Sequence, residues 1–460
     1  MLSTDFDEEN IRDEIKKSQD RHDKIAKPVK REDLTKTTIH RQLAKDFYYE
    51  QPYFFDEYKN WWLWKKNQWK MVDDIDIMIE FDRYFVLDTE RGAIKSTILE
   101  ALRKHGRSNK PKEIPATWVQ YKSKIYDIKT GETFEATPAF FVCNPIDWEV
   151  GESEDTPILD KYINAWVSPE DVDRLYEILA FITVPKYFIH SFFSLHAPPG
   201  YGKSTFTNLL IKFIGESNHV TTSIAKINSN PRFETKNWHK KLLITMSEVN
   251  NVNELTNSAI INNATGEDPI GIEFKGSNTT SDFVNYGKFV YPANKLLKID
   301  PDDGFGRRVR TVSFINRFEK EKDILNEIPD VEFSNLAKKC IRIAGELWET
   351  RRFTGDLSIS ERMNHYQEVS KTPLEKFIQE HCDETDASSR IPLAELFVQF
   401  NKYQKEKKAG IISRVKLGKE LRKLGYNMKN DNWESGQFSF DNRKRWESKM
   451  TVFGLKKKVN

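Results

Sequence analysis

Cysteine is scarce: Cys143, Cys340 and Cys382 are the only three in 460 residues. They lie far apart and form no C-x-x-C pair, which excludes a disulfide framework and a zinc ribbon and points to a reducing compartment. Long apolar runs are missing too. None approaches the roughly 18 residues that a membrane-spanning helix needs, and the first residues carry no signal-peptide pattern. The expectation is a soluble chain of the cytoplasm, or of a host cell's interior if the source is viral, with no membrane partner. Net charge is only +2, but it is unevenly spread. Residues 401–460 hold 17 Lys and Arg against 6 Asp and Glu, a net of +11, which leaves −9 for the rest. A basic end that folds suggests a nucleic-acid partner; one that does not fold is only a solvated tail.

The densest stretch of chemistry is FIHSFFSLHAPPGYGKSTFTNLLIKFIG, residues 188–215. Its apolar start is short enough for a buried strand. Ala197, Pro198, Pro199, Gly200, Tyr201, Gly202, Lys203 and Ser204 then follow with the spacing of a phosphate-binding loop, and Thr205 opens an amphipathic helix to residue 214. Gly200 and Gly202 permit backbone angles that aim successive N–H groups at phosphate oxygens. Lys203 reaches toward the β- and γ-phosphates of ATP, and the Ser204 hydroxyl suits Mg²⁺. The helix N-terminus adds positive potential, and Gly215 ends the helix. The first loop position is Ala197, where the general pattern has glycine.

Before this loop, residues 1–36 contain 19 charged side chains and read as a mobile arm or loose helix. Helical spacing begins at Thr37. Residues 60–71 read as a tryptophan-rich hairpin turning at Lys66-Asn67. Asp74 and Asp76 could form a metal pair, but their apolar neighbours favour a helix start with acids in its first turn. Residues 118–148 alternate as short strands with a turn at 129–131. Helices at 157–166 and 169–181 follow, the second with Ser168 as its cap three residues before Asp171.

After the loop, residues 240–248 form a second parallel strand ending in Glu248. A carboxylate at the end of the strand beside the phosphate loop can hold the Mg²⁺ shell and orient the attacking water. Ser247 stands where many such strands carry a first acid, so Glu248 takes both jobs. A third strand, 287–294, ends in Asn294, placed to hydrogen-bond the γ-phosphate or the water. Between them, alternating Ile270, Ile272 and Phe274 and a turn near 275–278 predict a β-hairpin with Lys275 at its tip. Arg307, Arg308 and Arg310 follow the third strand closely. Gly304-Phe-Gly306 is no dinucleotide fingerprint, for no helix with the third glycine follows.

With those residues in order, the chain resembles the superfamily-3 helicases, the hexameric AAA+ replicative helicases of small DNA viruses, phages and plasmids. More narrowly, it resembles the helicase half of the poxvirus- and phage-type primase–helicases. The resemblance implies that residues 197–204, Glu248, the segment from Gly266 to Lys275 (with Glu267 splitting Gly266 from Asp268), Asn294 and an arginine finger follow the family's motif order. Arg308 is the preferred finger over Arg307, because it directly precedes Val309. It also implies a preceding domain over residues 37–150 with a tryptophan-rich hairpin, and no primase set before Thr37, so that a separate primase is an expected partner.

Beyond residue 335 a helical lid is expected, and Thr372-Pro373-Leu374-Glu375 opens a new domain with a capping box. Helices at 393–405 and 413–424 and a two-stranded wing with a basic loop bearing Arg443, Lys444, Arg445 and Trp446 read as a winged helix. Leu417, Leu421 and Leu424 share one face of the second helix; Lys416, Lys419 and Lys423 share the opposite face and are placed to bind duplex DNA. The expected fold class is α/β, an AAA+ P-loop ATPase core at 151–370 with an N-terminal α+β domain at 37–150 and a C-terminal winged-helix domain at 371–460. The expected function is ATP-dependent DNA unwinding by a homo-hexameric ring, with single-stranded DNA in its channel and 3′ to 5′ movement by resemblance. Its rival is an ATP-switched origin-binding initiator or loader that does not unwind. A small-molecule P-loop kinase is the weakest reading, having no use for the Lys275 hairpin.

Overall fold

The structure is a computed structural model; it describes residues 27–29 and 37–457, except 88–91, 230, 248–254, 256–257, 274–279, 298–303, 319–323, 385–388, 408–409 and 439–443. The chain forms two compact units, Met1–Met363 and Asn364–Asn460. Among the described residues no helix is long and apolar enough to cross a membrane.

In the first unit, Trp61–Lys65 and Gln68–Val72 pair antiparallel across a two-residue turn in which Lys66 (φ 51°) and Asn67 (φ 61°) both take positive φ. That is the turn whose twist suits a hairpin. The next helix, Asp74–Tyr84, starts in a capping box made by Asp73 and Asp76. Asp74 is held by Trp61 Nε1 at 2.6 Å and Arg103 at 2.7 Å, so the acids here fasten structure. Phe47, Trp61, Leu63, Ile77, Phe81 and Leu102 form the core of this segment. The expected arm at 1–36 is described only at Lys27–Val29, which pairs as a parallel strand with Phe85–Leu87.

A three-stranded antiparallel sheet, Trp118–Tyr121, Lys124–Asp127 and Thr133–Glu135, follows, with Gly131 at φ 78° in its turn. Asn144 then joins this segment to the rest of the unit. Its amide donates to Asn218 Oδ1 (2.9 Å) and Lys240 O (2.7 Å) and accepts from Tyr286 OH (2.6 Å). Helices Pro157–Trp166 and Pro169–Thr183 come next. The expected Ser168 side-chain cap is absent: Asp171 N bonds the Ser168 backbone carbonyl, and the Asp171 carboxylate is engaged by Arg174. Pro169 at the first helical turn sets the entry without it.

Five parallel strands build the central sheet: β1 (Phe192–His196), β2 (His219–Ser223), β3 (Leu243–Ser247), β6 (Lys288–Ala293) and β7 (Val309–Ser313). The hairpin strands β4 (Pro269–Glu273) and β5 (Thr280–Val284) lie between β3 and β6 in sequence. The sheet order is β2-β3-β6-β1-β7. This corrects one expectation: the strand leading to Glu248 is β3, and β6 separates it from β1. Helix α1 (Lys203–Ile214) follows β1, α2 (Ser258–Gly266) precedes β4, and the long helix α3 (Asp330–Thr350) packs on Pro169–Thr183. Strands β1, β3, β6 and β7 are buried over most of their length, as a covered parallel sheet requires, whereas the edge strand β2 is half-buried with Thr221 exposed. In α3, Glu332 accepts from the backbone N–H groups of Ile158 (3.0 Å) and Leu159 (2.9 Å), capping another helix from a distance.

In the second unit, helix Pro373–His381 begins in the Thr372–Glu375 capping box. Strand Arg390–Pro392 and helices Leu393–Glu406 and Arg414–Lys423 follow. Met428–Phe438 and Lys444–Phe453 pair antiparallel, and Arg390–Pro392 adds a third strand that the sequence did not announce. The basic stretch expected as a loop is strand from Lys444 on; Arg443 lies outside the described residues. Phe377, Leu396, Phe400, Leu417, Leu421 and Val452 fill the core.

Candidate nucleotide site

β1 delivers the chain to residues 197–202, and α1 takes it away. Gly200 (φ 87°) and Gly202 (φ 90°) both stand in the left-handed region where glycine is favoured. At Gly202 a side chain is also excluded by space, because an added Cβ would fall 2.5 Å from Trp166 Nε1. The loop thus sits directly on the end of helix Pro157–Trp166.

Lys203 is the first residue of α1 and only 6% exposed. Its ammonium donates to Ala197 O (2.6 Å), Pro198 O (3.0 Å) and Asn294 Oδ1 (3.0 Å). Asn294 follows the last residue of β6, the immediate neighbour of β1 in the sheet. The structure therefore brings together two residues that lie 91 positions apart and that the sequence had marked separately. Pro198, Pro199 and Gly200 are exposed at the loop's tip, Tyr201 and Thr205 are half-buried, and Ser204 is exposed beside Lys203.

Other marked residues fall elsewhere. Glu248 is one residue beyond β3 and lies outside the described residues, as does Lys275. The hairpin that carries Lys275 is present: β4 and β5 pair from Pro269↔Val284 to Glu273↔Thr280, with Ile270 and Phe283 buried. Its middle pair, Gly271↔Asp282, is held on both strands. Thr235 Oγ1 donates to Gly271 O and Tyr58 OH donates to Asp282 O, each at 3.1 Å. The Gly266-Glu267-Asp268 corner has Glu267 at φ 63°, its carboxylate paired with Lys186 at 2.6 Å.

The two candidate fingers differ sharply. Arg308 is 5% exposed and turned into the fold, donating to Gly304 O (2.6 Å) and Asn262 Oδ1 (3.2 Å). Arg307, its neighbour in the 3₁₀ turn Gly306–Arg308, is exposed. Arg310 is buried and paired with Asp356 at 2.9 Å. In the second unit, Lys416, Lys419 and Lys423 are exposed along helix Arg414–Lys423, opposite buried Leu417 and Leu421.

One residue had no warning in the sequence. After β7 the chain is bonded back onto the loop, Phe314 N to His196 O (2.9 Å), Ile315 N to Trp166 O (2.9 Å) and Phe318 N to Gly200 O (3.0 Å). This sets Arg317 over the loop tip, its Cγ and Nε 3.9 and 4.0 Å from where a Cβ on Gly200 would lie. The only signal was an arginine four positions past the end of a strand.

Residues 195–308 match a family model described as a family of unknown function (DUF5906). The matched stretch runs from the end of β1 through the loop, the hairpin and Asn294 to Arg308. Comparison with curated proteins finds no match. Among solved structures, the chain is similar to the apo structure of the C-terminal region of NrS-1, at 12% identity and a TM-score of 0.48, over 91% of this chain and 99% of that one. A second structure of the same region, its A form, matches at 14% identity and a TM-score of 0.46, over 84% and 86%.

Proposed function

We propose that this chain is an ATP-driven DNA helicase of the AAA+ type, acting as a ring, in the replication of a virus, plasmid or mobile element. The observation that carries the reading is the Lys203–Asn294 contact. A phosphate-loop lysine and a strand-end amide share one hydrogen bond across adjacent parallel strands. A γ-phosphate reaching Lys203 thereby also meets the residue that can report it to β6. The glycine conformations of the loop, and the order in which β6 lies between β1 and β3, support the same reading. In it, the loop amides and Lys203 bind the ATP phosphates, and the exposed Ser204 hydroxyl ligates Mg²⁺. Glu248, from its place after β3, orients the water. The hairpin extends Lys275 to single-stranded DNA, and the second unit, a winged helix by its order of helix, strand, two helices and paired strands, binds duplex through Lys416, Lys419 and Lys423.

Exposure favours Arg307 over Arg308 as the in-trans arginine. A finger must leave its own subunit, so Arg307 takes that role and Arg308 becomes a structural residue. The rival initiator or loader reading shares the site but predicts no strand separation. Displacement of a labelled strand from a forked duplex, in the presence of ATP and Mg²⁺, decides between them. Lys203→Ala is expected to abolish both hydrolysis and unwinding. Wild-type hydrolysis without displacement on any fork polarity would leave the rival standing.

A further inference from the structure

We infer that Arg317 is a second phosphate-binding cation of the nucleotide site, supplied in cis to the loop of its own subunit; this rests on the nucleotide reading above. Its backbone is fixed from both sides, by the Ile315–Trp166 bond and the Asn316 side chain on Ala165 O (2.9 Å) before it, and by the Phe318–Gly200 bond after it. Residues 316 and 318 therefore cannot shift without dragging the loop or the helix beneath it. The side chain lies over Gly200, at the loop tip whose amides are turned by a positive φ.

Its condition differs from that of the neighbouring arginines. Arg308 and Arg310 are buried, the one bonded to Gly304 O and Asn262, the other paired with Asp356. Arg317 is exposed, and among the described residues it has no carboxylate or carbonyl partner. An arginine held at its backbone yet left with five free N–H donors is equipped for an external anion, and a guanidinium matches a phosphate in bidentate geometry. The anion nearest to hand in this reading is the polyphosphate that the loop encloses. Lys203 meets it from within the loop and Arg317 from above the tip.

The test is equilibrium displacement of a fluorescent ATP analogue from full-length protein by ATP and, separately, by inorganic tripolyphosphate, which has no base. Arg317→Ala is expected to weaken both by the same factor, about ten- to a hundredfold, with Arg317→Lys intermediate. Mixing Arg317→Ala with Lys203→Ala subunits is expected to restore no ATPase, because every site then lacks a cation of its own subunit. Unchanged affinities overturn the inference. So does a loss confined to ATP, which would mean stacking on the base, and so does recovery of ATPase on mixing, which would mean a role in trans. Wild-type protein that binds no ATP overturns the nucleotide reading together with this one; wild-type binding with an unaffected Arg317→Ala variant overturns this inference alone.

Discussion

Two adjacent arginines show how much a single residue's surroundings decide. Arg307→Ala removes an exposed side chain, so the fold should be untouched while ATP hydrolysis falls by about 10³-fold or more, the scale of an in-trans finger. Mixed with Lys203→Ala subunits it should recover part of that activity, at interfaces pairing an intact loop with an intact finger. Arg308→Ala should instead lower the melting temperature, since the Gly304 carbonyl and Asn262 lose a buried donor worth about 1–3 kcal/mol. If Arg308→Ala melts like wild type and alone is rescued on mixing, the roles are reversed. The turn from strand to helix at 197–204 was legible in the sequence because its signal is local: two glycines, both at positive φ, just before the helix that Lys203 opens. The difference in burial between Arg307 and Arg308 was not, because it is set by residues such as Asn262 that lie 46 positions away. Arg317 was invisible for the same reason, being placed by the bonds of its neighbours Ile315 and Phe318 to Trp166 and Gly200.

Among the elements, β6 carries the sharpest contrast. One end presents Asn294 to Lys203; the other begins with Lys288, fully buried. The Lys288 ammonium donates to Val184 O and lies 4.9 and 5.8 Å from the ring centres of Phe181 and Tyr187. Burial pushes its pKa well below that of an ordinary lysine. The unfolded chain holds this proton up to about pH 10.4 while the folded chain sheds it earlier, so stability is lost as pH falls through the depressed folded value. Lys288→Met should therefore stabilise the fold at neutral pH by on the order of 1 kcal/mol or more, seen as a higher melting temperature, and flatten the rise of that temperature between neutral and alkaline pH. ATP affinity should not change, because Asn294 is at the strand's far end. A variant that melts lower than wild type at every pH would show that the Val184 bond outweighs the burial of charge. Hairpins and caps were the readable elements: Lys66-Asn67 and Thr372–Glu375 announce themselves within a few residues. Ser168 misled because a capping pattern does not reveal that Arg174 already engages Asp171. The sheet order was unreadable, since β6 enters between β1 and β3 through pairings that join strands far apart in the chain.

At the scale of the whole chain, the division falls at Met363, inside the helix Ile359–Ser370. A truncation that spares this helix, removing residues 372–460, should keep ATPase activity but weaken duplex binding. The log–log salt slope should flatten by about 0.9 for each DNA phosphate that the shortened protein no longer neutralises. An unchanged slope would make the second unit a docking module for protein. Residues 37–148, by contrast, are not set apart from the sheet that follows them, and the grip on the hairpin says why that matters. Gly271 is held by Thr235 and Asp282 by Tyr58, so the middle rung of the β4–β5 ladder is a pivot with a bearing on each side. The rungs beyond it are the arm that the proposed DNA contact would use. In a motor that pulls with this arm, the reaction force does not end at the nucleotide. On the proposed reading, part of it would pass through Tyr58 to the tryptophan-rich hairpin that follows it in the chain, and the N-terminal segment would be the anvil against which the arm works.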